Sequence, residues 1–174
     1  FHPRGQQPQT VLLRQDADDV AFGVEHRRAR HMLAEQKVDR LQDAGNVGNI
    51  LRSAAAFGFT QVVALKGTAA LWAPKVLRAG MGAHFGLHLV EALPEDALDA
   101  LRMPLLATSS HAARAIHEAS LPWPCAWVMG HEGQGVSAAL MERCAESLRI
   151  PQPGGEESLN VASAAAVCLY ESAR

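Results

Sequence analysis

Three short segments of the sequence combine amides, a hydroxyl, a carboxylate and a guanidinium in a way that a hydrophobic core has no use for. In "DAGNVGNILRSAAAFGF" a helix N-cap position falls on Asn46, and Arg52 follows nearly two turns later. A guanidinium presents its donors in a fixed fork, suited to a phosphate or to an oxygen acquiring negative charge. In "VMGHEGQGVS" the glycines at 130, 133 and 135 let the backbone approach a ligand closely, and Glu132 among them is placed to orient a positive group. In "IPQPGGEESLNVASAAA" Pro151 and Pro153 stiffen a loop and Gly154 and Gly155 permit φ > 0, so a backbone could wrap around a flat base such as adenine. Ser158 and Asn160 then project from a helix tip toward the same point, Asn160 falling within the first turn. Taken singly, the three segments read first as a capped helix with an exposed Arg, a tight strand-to-helix turn and a surface turn. The pattern GxEGxG is not the GxGxxG fingerprint and no GK[ST] follows, which excludes both a dinucleotide motif and a P-loop.

The elements that must position these residues alternate along the chain. Short apolar runs at "KVDRLQ", "FTQVVALKG", "LHLVEAL", "PLLATSS", "CAWVMG" and "SLRIP" read as strands. Between them lie helical patterns. Val47, Ile50, Leu51, Ala54 and Ala55 repeat at helical spacing up to Gly58, and "APKVLRAGMGAHF" opens with Pro74 at a first helical position. "PEDALDALRM" is amphipathic with acids in its first turn, "SAALMERCA" is helical, and an Ala-rich helix from Ser158 closes the chain. Strands alternating with helices predict an α/β fold, a parallel sheet flanked by helices on both faces. In such sheets ligands collect at the carboxyl ends of the strands, and three of those ends are polar and Gly-rich.

With 174 residues the chain is the size of one domain, and its apolar fraction of 48% is that of a globular protein. No apolar run approaches the roughly 20 residues of a membrane helix, so no membrane partner is expected. Cys125, Cys144 and Cys168 are dispersed and odd in number, which predicts free thiols and a reducing, cytoplasmic setting. The net charge of −2 hides an asymmetry: residues 1–90 hold 11 Lys+Arg against 7 Asp+Glu, residues 91–174 hold 5 against 11. A basic half can face phosphates when the total charge does not.

Together the three segments resemble the SpoU branch of the SPOUT RNA methyltransferases, which carry three such motifs in this order: Asn46, Gly48 and Arg52; then Gly130, Glu132, Gly133 and Gly135; then Ile150, Pro151, Ser158, Leu159, Asn160 and Val161. The resemblance covers residues 36 to 172, and "APKVLRAGMGAHF" looks like the family's intermediate segment. Ala44 and Ser53 stand where Pro and Thr are common. The resemblance implies a deep C-terminal trefoil knot, a homodimer, and transfer of a methyl group from S-adenosylmethionine to a ribose 2′-hydroxyl of rRNA or tRNA. It implies that Thr108, Gly130, Ile150 and Leu159 hold the cofactor. It also implies that Arg52 activates the hydroxyl, with Asn46, Glu132, Ser158 and Asn160 around it. No metal is implied. A knotted RNA-binding module without catalysis is the alternative.

Residues 1–35 are expected to form an N-terminal arm or the remnant of a linker to a missing RNA-binding domain, and 36–174 the methyltransferase domain. Within the arm, "RRARH" is a short basic stretch that fits phosphates or solvent equally. His84 and His88 lie four apart with no acidic third ligand at metal spacing. His111 and His117 are expected at the surface and Cys125 in the core. Trp72, Trp123 and Trp127 are candidates for base stacking, Trp127 equally for core or interface.

Overall fold

The computed structural model describes residues 10–14, 43–131, 133–155 and 159–174. The strand expected at "KVDRLQ", most of the expected arm with "RRARH", and the site candidates Glu132 and Ser158 lie outside these residues. The six strands are β1 (Thr10–Arg14), β2 (Gln61–Leu65), β3 (His88–Leu93), β4 (Leu105–Thr108), β5 (Cys125–Met129) and β6 (Glu146–Leu148). They form one sheet in the order β3–β2–β1–β5–β4–β6. The α/β expectation holds, but the sheet is mixed rather than parallel throughout. β2 runs parallel to β3, and β4 runs parallel to both β5 and β6. β1 lies antiparallel between β2 and β5 and joins the two parallel groups. Five residues of the stretch expected as an arm are therefore a central strand.

Strand residues alternate between two cores, as a period of two requires. Val62, Ala64, Leu106, Cys125, Trp127 and Met129 face one side, where they meet helices α1 (Ala44–Ala56), α2 (Pro74–Gly80) and α4 (Val161–Ala173). Val63, Leu65, Leu105, Ala126 and Val128 face the other, against Leu98 and Leu140. Leu98 belongs to a 3-10 helix, Glu95–Ala100, and Leu140 to the single-turn α3, Ala138–Met141. Both are shorter than the helices expected at "PEDALDALRM" and "SAALMERCA". Pro104 disfavours helix in the residue before it, and each chain must reach a strand within a few residues. Arg143 ties the two pieces together, bonding the Glu95 carbonyl at 2.7 Å and the Asp99 carboxylate.

Helix α1 buries Val47, Ile50, Leu51 and Ala54 as one stripe and stops before Gly58, whose φ is +74°. Pro74 opens α2 as expected. The two helices touch at Gly48. A Cβ there would lie 2.4 Å from the Ala79 Cβ and 2.7 Å from the Gly80 nitrogen, so only glycine allows the approach. Overpacking of this kind costs about 1–3 kcal/mol. Among the described residues no helix is long and apolar enough to cross a membrane.

All three cysteines are free, and Cys125 and Cys168 are fully buried in the core that α4 shares with β5. Burial pushes the Cys168 thiol far above its ordinary value, and lifts the half-buried Cys144 to about 11. The thiolate is the reactive form. In a Cys144→Ala background, maleimide at pH 8 should leave both remaining thiols unlabelled in folded protein and label both in denaturant. Rapid labelling of the folded protein would mean that α4 is not docked on the sheet.

Candidate active site

The two polar helix tips meet. Asp43 caps α1, its carboxylate accepting from the Gly45 nitrogen at 2.6 Å and the Asn46 nitrogen at 3.4 Å. Asn46 is thus in the first turn, not at the cap where the sequence places it. The reverse holds for α4, where Asn160, expected within the helix, is the cap. Its Oδ1 accepts from the Ala162 nitrogen at 2.9 Å and the Ser163 nitrogen at 3.4 Å. With the oxygen committed to its own helix, Nδ2 of Asn160 donates to Oδ1 of Asn46 at 3.0 Å, across 114 residues of sequence. That network fixes the orientation of both amides.

Beside this contact a cleft of about 460 Å³ opens between α1 and α4, lined by Asn49, Arg52, Ser53, Phe57, Asn160 and Ser163. Arg52 is exposed and forms no ion pair among the described residues. Asn49 and Ser53 do not belong to the motif residues. Their signal is helical spacing: 46, 49 and 53 recur at i+3 and i+4 along a line of α1 that flanks its buried stripe. Ser163 was missed because an alanine-rich run hides a single serine.

A second, smaller cleft of about 130 Å³ is lined by Thr108, Ser109, Ser110, Ile150, Gln152, Leu159 and Ala164. Three of the four expected cofactor residues, Thr108, Ile150 and Leu159, therefore share one wall. Thr108 ends β4, Ile150 follows β6, and both strands run parallel, so the cleft sits at carboxyl ends as the fold class predicts. Leu159 and Asn160 are consecutive, and each lines a different cleft. The two clefts are neighbours across one peptide bond.

The structure does not bring Gly130 into either lining. It follows the last residue of β5, and a Cβ there would lie 2.1 Å from the Gly135 carbonyl carbon. The loop returns over it, with the His131 nitrogen donating to the Gly135 oxygen at 3.0 Å and the Gly135 nitrogen to the His131 oxygen at 2.8 Å. Glycine at 130 serves this crossing. Of the other candidates, Trp127 is a core residue, fully buried, with Nε1 donating to Ser172 at 2.8 Å, whereas Trp72 and Trp123 are exposed. His84 is buried with Nε2 at 2.8 Å from the Leu71 oxygen, while His88, His111 and His117 are exposed. Among the described residues no three His, Cys, Asp or Glu side chains converge as a metal site would require.

The cap assignments are checked by stability. Asp43→Ala and Asn160→Ala should each lower unfolding free energy by about 1 kcal/mol, and Asn46→Ala by clearly less. Urea midpoints read this directly. A larger loss at Asn46 than at Asp43 would restore Asn46 to the cap.

Residues 37–170 match the SpoU rRNA Methylase family. The 23S rRNA (guanosine(2553)-2'-O)-methyltransferase RlmP of Bacillus subtilis is 38% identical over 136 residues, 76% of this chain and 55% of its own. The crystal structure of the SpoU methyltransferase AviRb from Streptomyces viridochromogenes, in complex with AdoMet, is similar with a TM-score of 0.71 and 28% identity. The match covers 83% of this chain and 62% of that one. An AdoMet-bound rRNA methyltransferase from Sinorhizobium meliloti has a TM-score of 0.70 and 30% identity, over 77% and 53% of the two chains. The chain spans about half the length of the curated relatives it matches. In both sequence and fold, across most of its residues, it belongs to the SpoU rRNA methylase family.

Proposed function

We propose that the protein transfers a methyl group from S-adenosylmethionine to a ribose 2′-hydroxyl of rRNA or tRNA. The observation that carries this reading is the adjacency of the two clefts, one bearing Arg52 and the other the expected cofactor residues, joined at Leu159–Asn160. The relatives support it, since the Bacillus protein is named as a 23S rRNA 2′-O-methyltransferase and two solved neighbours hold AdoMet. Family membership over residues 37–170 supports reading 36–174 as the methyltransferase domain.

The lining of the smaller cleft suits the cofactor. Ile150, Leu159 and Ala164 offer apolar faces to a ring, while Thr108, Ser109, Ser110 and Gln152 offer hydroxyls and an amide to its edges and sugar. At about 130 Å³ the cleft is below the roughly 300–1,000 Å³ of a whole small-molecule site, so it takes part of the ligand. When bound, the cofactor supplies a methyl group activated by its sulfonium sulfur. The chain supplies position and charge. A ribose hydroxyl is a poor nucleophile at neutral pH, and the guanidinium of Arg52 stabilises the negative charge that develops on its oxygen or clamps the adjacent phosphate. Arginine holds its proton, so the role is electrostatic rather than basic. The amide of Asn46 and the hydroxyls of Ser53 and Ser163 orient the ribose. Glu132 and Ser158 take the places the family motifs give them, Glu132 as the partner that holds Arg52, and the main chain at Gly130 borders the cofactor.

The knot and the homodimer belong to the same reading. The loop after β4 wraps the segment after β6: the Arg149 nitrogen donates to the Arg114 oxygen, and the Ile116 nitrogen to the Arg149 oxygen, both at 2.9 Å. The chain then returns from that sheet edge to pack α4 on α1 and β5, which supports threading. Tyr170 on α4 is half-exposed and sits edge-on to Phe57 of α1 at 5.8 Å, an apolar rim beside the Arg52 cleft that suits a second copy.

Arg52→Ala should lower methyl transfer to deproteinised rRNA or tRNA by about 10²–10³-fold while S-adenosylmethionine affinity by calorimetry stays within a few-fold. Loss of cofactor binding instead would make Arg52 structural. Leu159→Arg should weaken cofactor binding tenfold or more, because it sets a charge into an apolar wall; unchanged affinity would move the pocket elsewhere. Wild-type protein that gives no heat with S-adenosylmethionine would leave the non-catalytic RNA-binding module standing.

A further inference from the structure

The stretch from Ala44 to Val90 contains no Asp or Glu, while it carries Arg52, Lys66, Lys75 and Arg78. Its exposed surface is also apolar to an unusual degree. Phe85 is 86% exposed and Met81 74%, with Trp72 at 48% and Leu77 at 37%. These residues share one region. Helix α2 turns Val76 and Gly80 inward and meets Gly48 through Ala79, which leaves Leu77, Arg78 and the following Met81 on the outer face with Lys75 at its flank. Phe85 stands on the next turn, the 3-10 helix Ala83–Gly86. The preceding residue, His84, is buried, anchored to the Leu71 oxygen and covered by the Trp72 ring at 5.2 Å. The exposed rings are therefore carried on a fixed base.

We propose that this face is a platform for single-stranded RNA, on which splayed bases stack on Phe85 and Trp72 while Lys75 and Arg78 contact phosphates. The inference rests on the methyltransferase reading for its substrate class and extends the Arg52 site. Gly48, where α2 touches α1, lies one turn before Arg52 on the same side of the helix, so the helix that carries the platform packs beside the Arg52 cleft. Large apolar groups exposed beside charge mark an interaction surface, and aromatic rings among cations fit unpaired bases rather than a duplex. A second copy is the poorer occupant. A twofold interface sets a patch against its own image, and this one would oppose Lys75 and Arg78 to their own copies, while the Glu91 carboxylate beside Trp72 is already engaged by the Leu71 nitrogen.

The test uses the full chain, a fluorescein-labelled single-stranded oligoribonucleotide of mixed sequence, and anisotropy over a range of salt. Phe85→Ala should weaken RNA binding about tenfold and leave the salt slope unchanged. Lys75→Gln combined with Arg78→Gln should make the slope of log K against log salt shallower by about 1.4, the value for two single-strand phosphate contacts. All the altered side chains are exposed, and both variants should keep the wild-type melting temperature and S-adenosylmethionine affinity. Unchanged RNA affinity and slope in both variants, with cofactor binding intact, overturns the platform and leaves the methyl-transfer reading standing. A smaller mass by light scattering in Phe85→Ala, with RNA affinity per protomer unchanged, overturns it in favour of a self-interface.

Discussion

Helix α4 is fixed by one amide at its tip and one hydroxyl near its tail, and the geometry of both clefts follows from that. Asn160 divides its amide, the oxygen serving its own helix and the nitrogen reaching Asn46 at 3.0 Å. Eleven residues after Val161, still within the helix, Ser172 accepts from the buried indole of Trp127 at 2.8 Å. Neutral hydrogen bonds of this kind are each worth about 1 kcal/mol net. The larger share of docking comes from Ala162, Ala165, Cys168 and Leu169, all buried against the sheet. Apolar burial has no direction, however, and would tolerate rotation or sliding of so uniform an alanine face. The two polar bonds choose one setting. In that setting Leu159 faces the cleft at the strand ends and Asn160 faces Arg52.

Close approach does for the other elements what hydrogen bonding does for α4. Gly48 lets α2 lie against α1, and Gly130 lets its own loop fold back across the end of β5. In both places the missing side chain is what matters, and the nearest atoms are largely backbone that cannot yield. Gly48 and Gly130 are therefore accounted for by close approach and Gly135 by its φ of +69°, which leaves the polar chemistry to side chains on helix tips and strand ends.

Much of this was legible in the sequence. Of the six described strands, four lie within runs read as strands and β6 overlaps its run at Ser147 and Leu148, because a buried strand in this fold is a nearly unbroken apolar run. β1 was not legible: "TVLLR" is five residues set in polar sequence, and its place is decided by the two strands it bridges rather than by its own pattern. The helix caps were misread for a related reason. Asp43 and Asn46 both have cap chemistry within four residues, and only the turn geometry selects between them. On α4 the weak helix former Asn160 looked misplaced inside a helix; it is not inside one. Thr108, Ile150 and Leu159 were found through the family resemblance, whereas Ser109, Ser110 and Gln152, which share their cleft, carry no periodic signal at all.

The charge distribution gives these positions a common logic. Among the described residues that line the two clefts, Arg52 alone carries a charge. Set among the neutral side chains that line the clefts, the guanidinium acts on whatever enters. Two acids of the second half of the chain pair away from the clefts, Asp99 with Arg143 and Glu146 with Arg114 at 3.0 Å. The acid-free stretch around α1 and α2 then extends the positive potential outward from Arg52 over the adjoining surface. A polyanion approaching that face is drawn along it toward the single guanidinium, and the neutral cleft beside Leu159 is left to discriminate by shape.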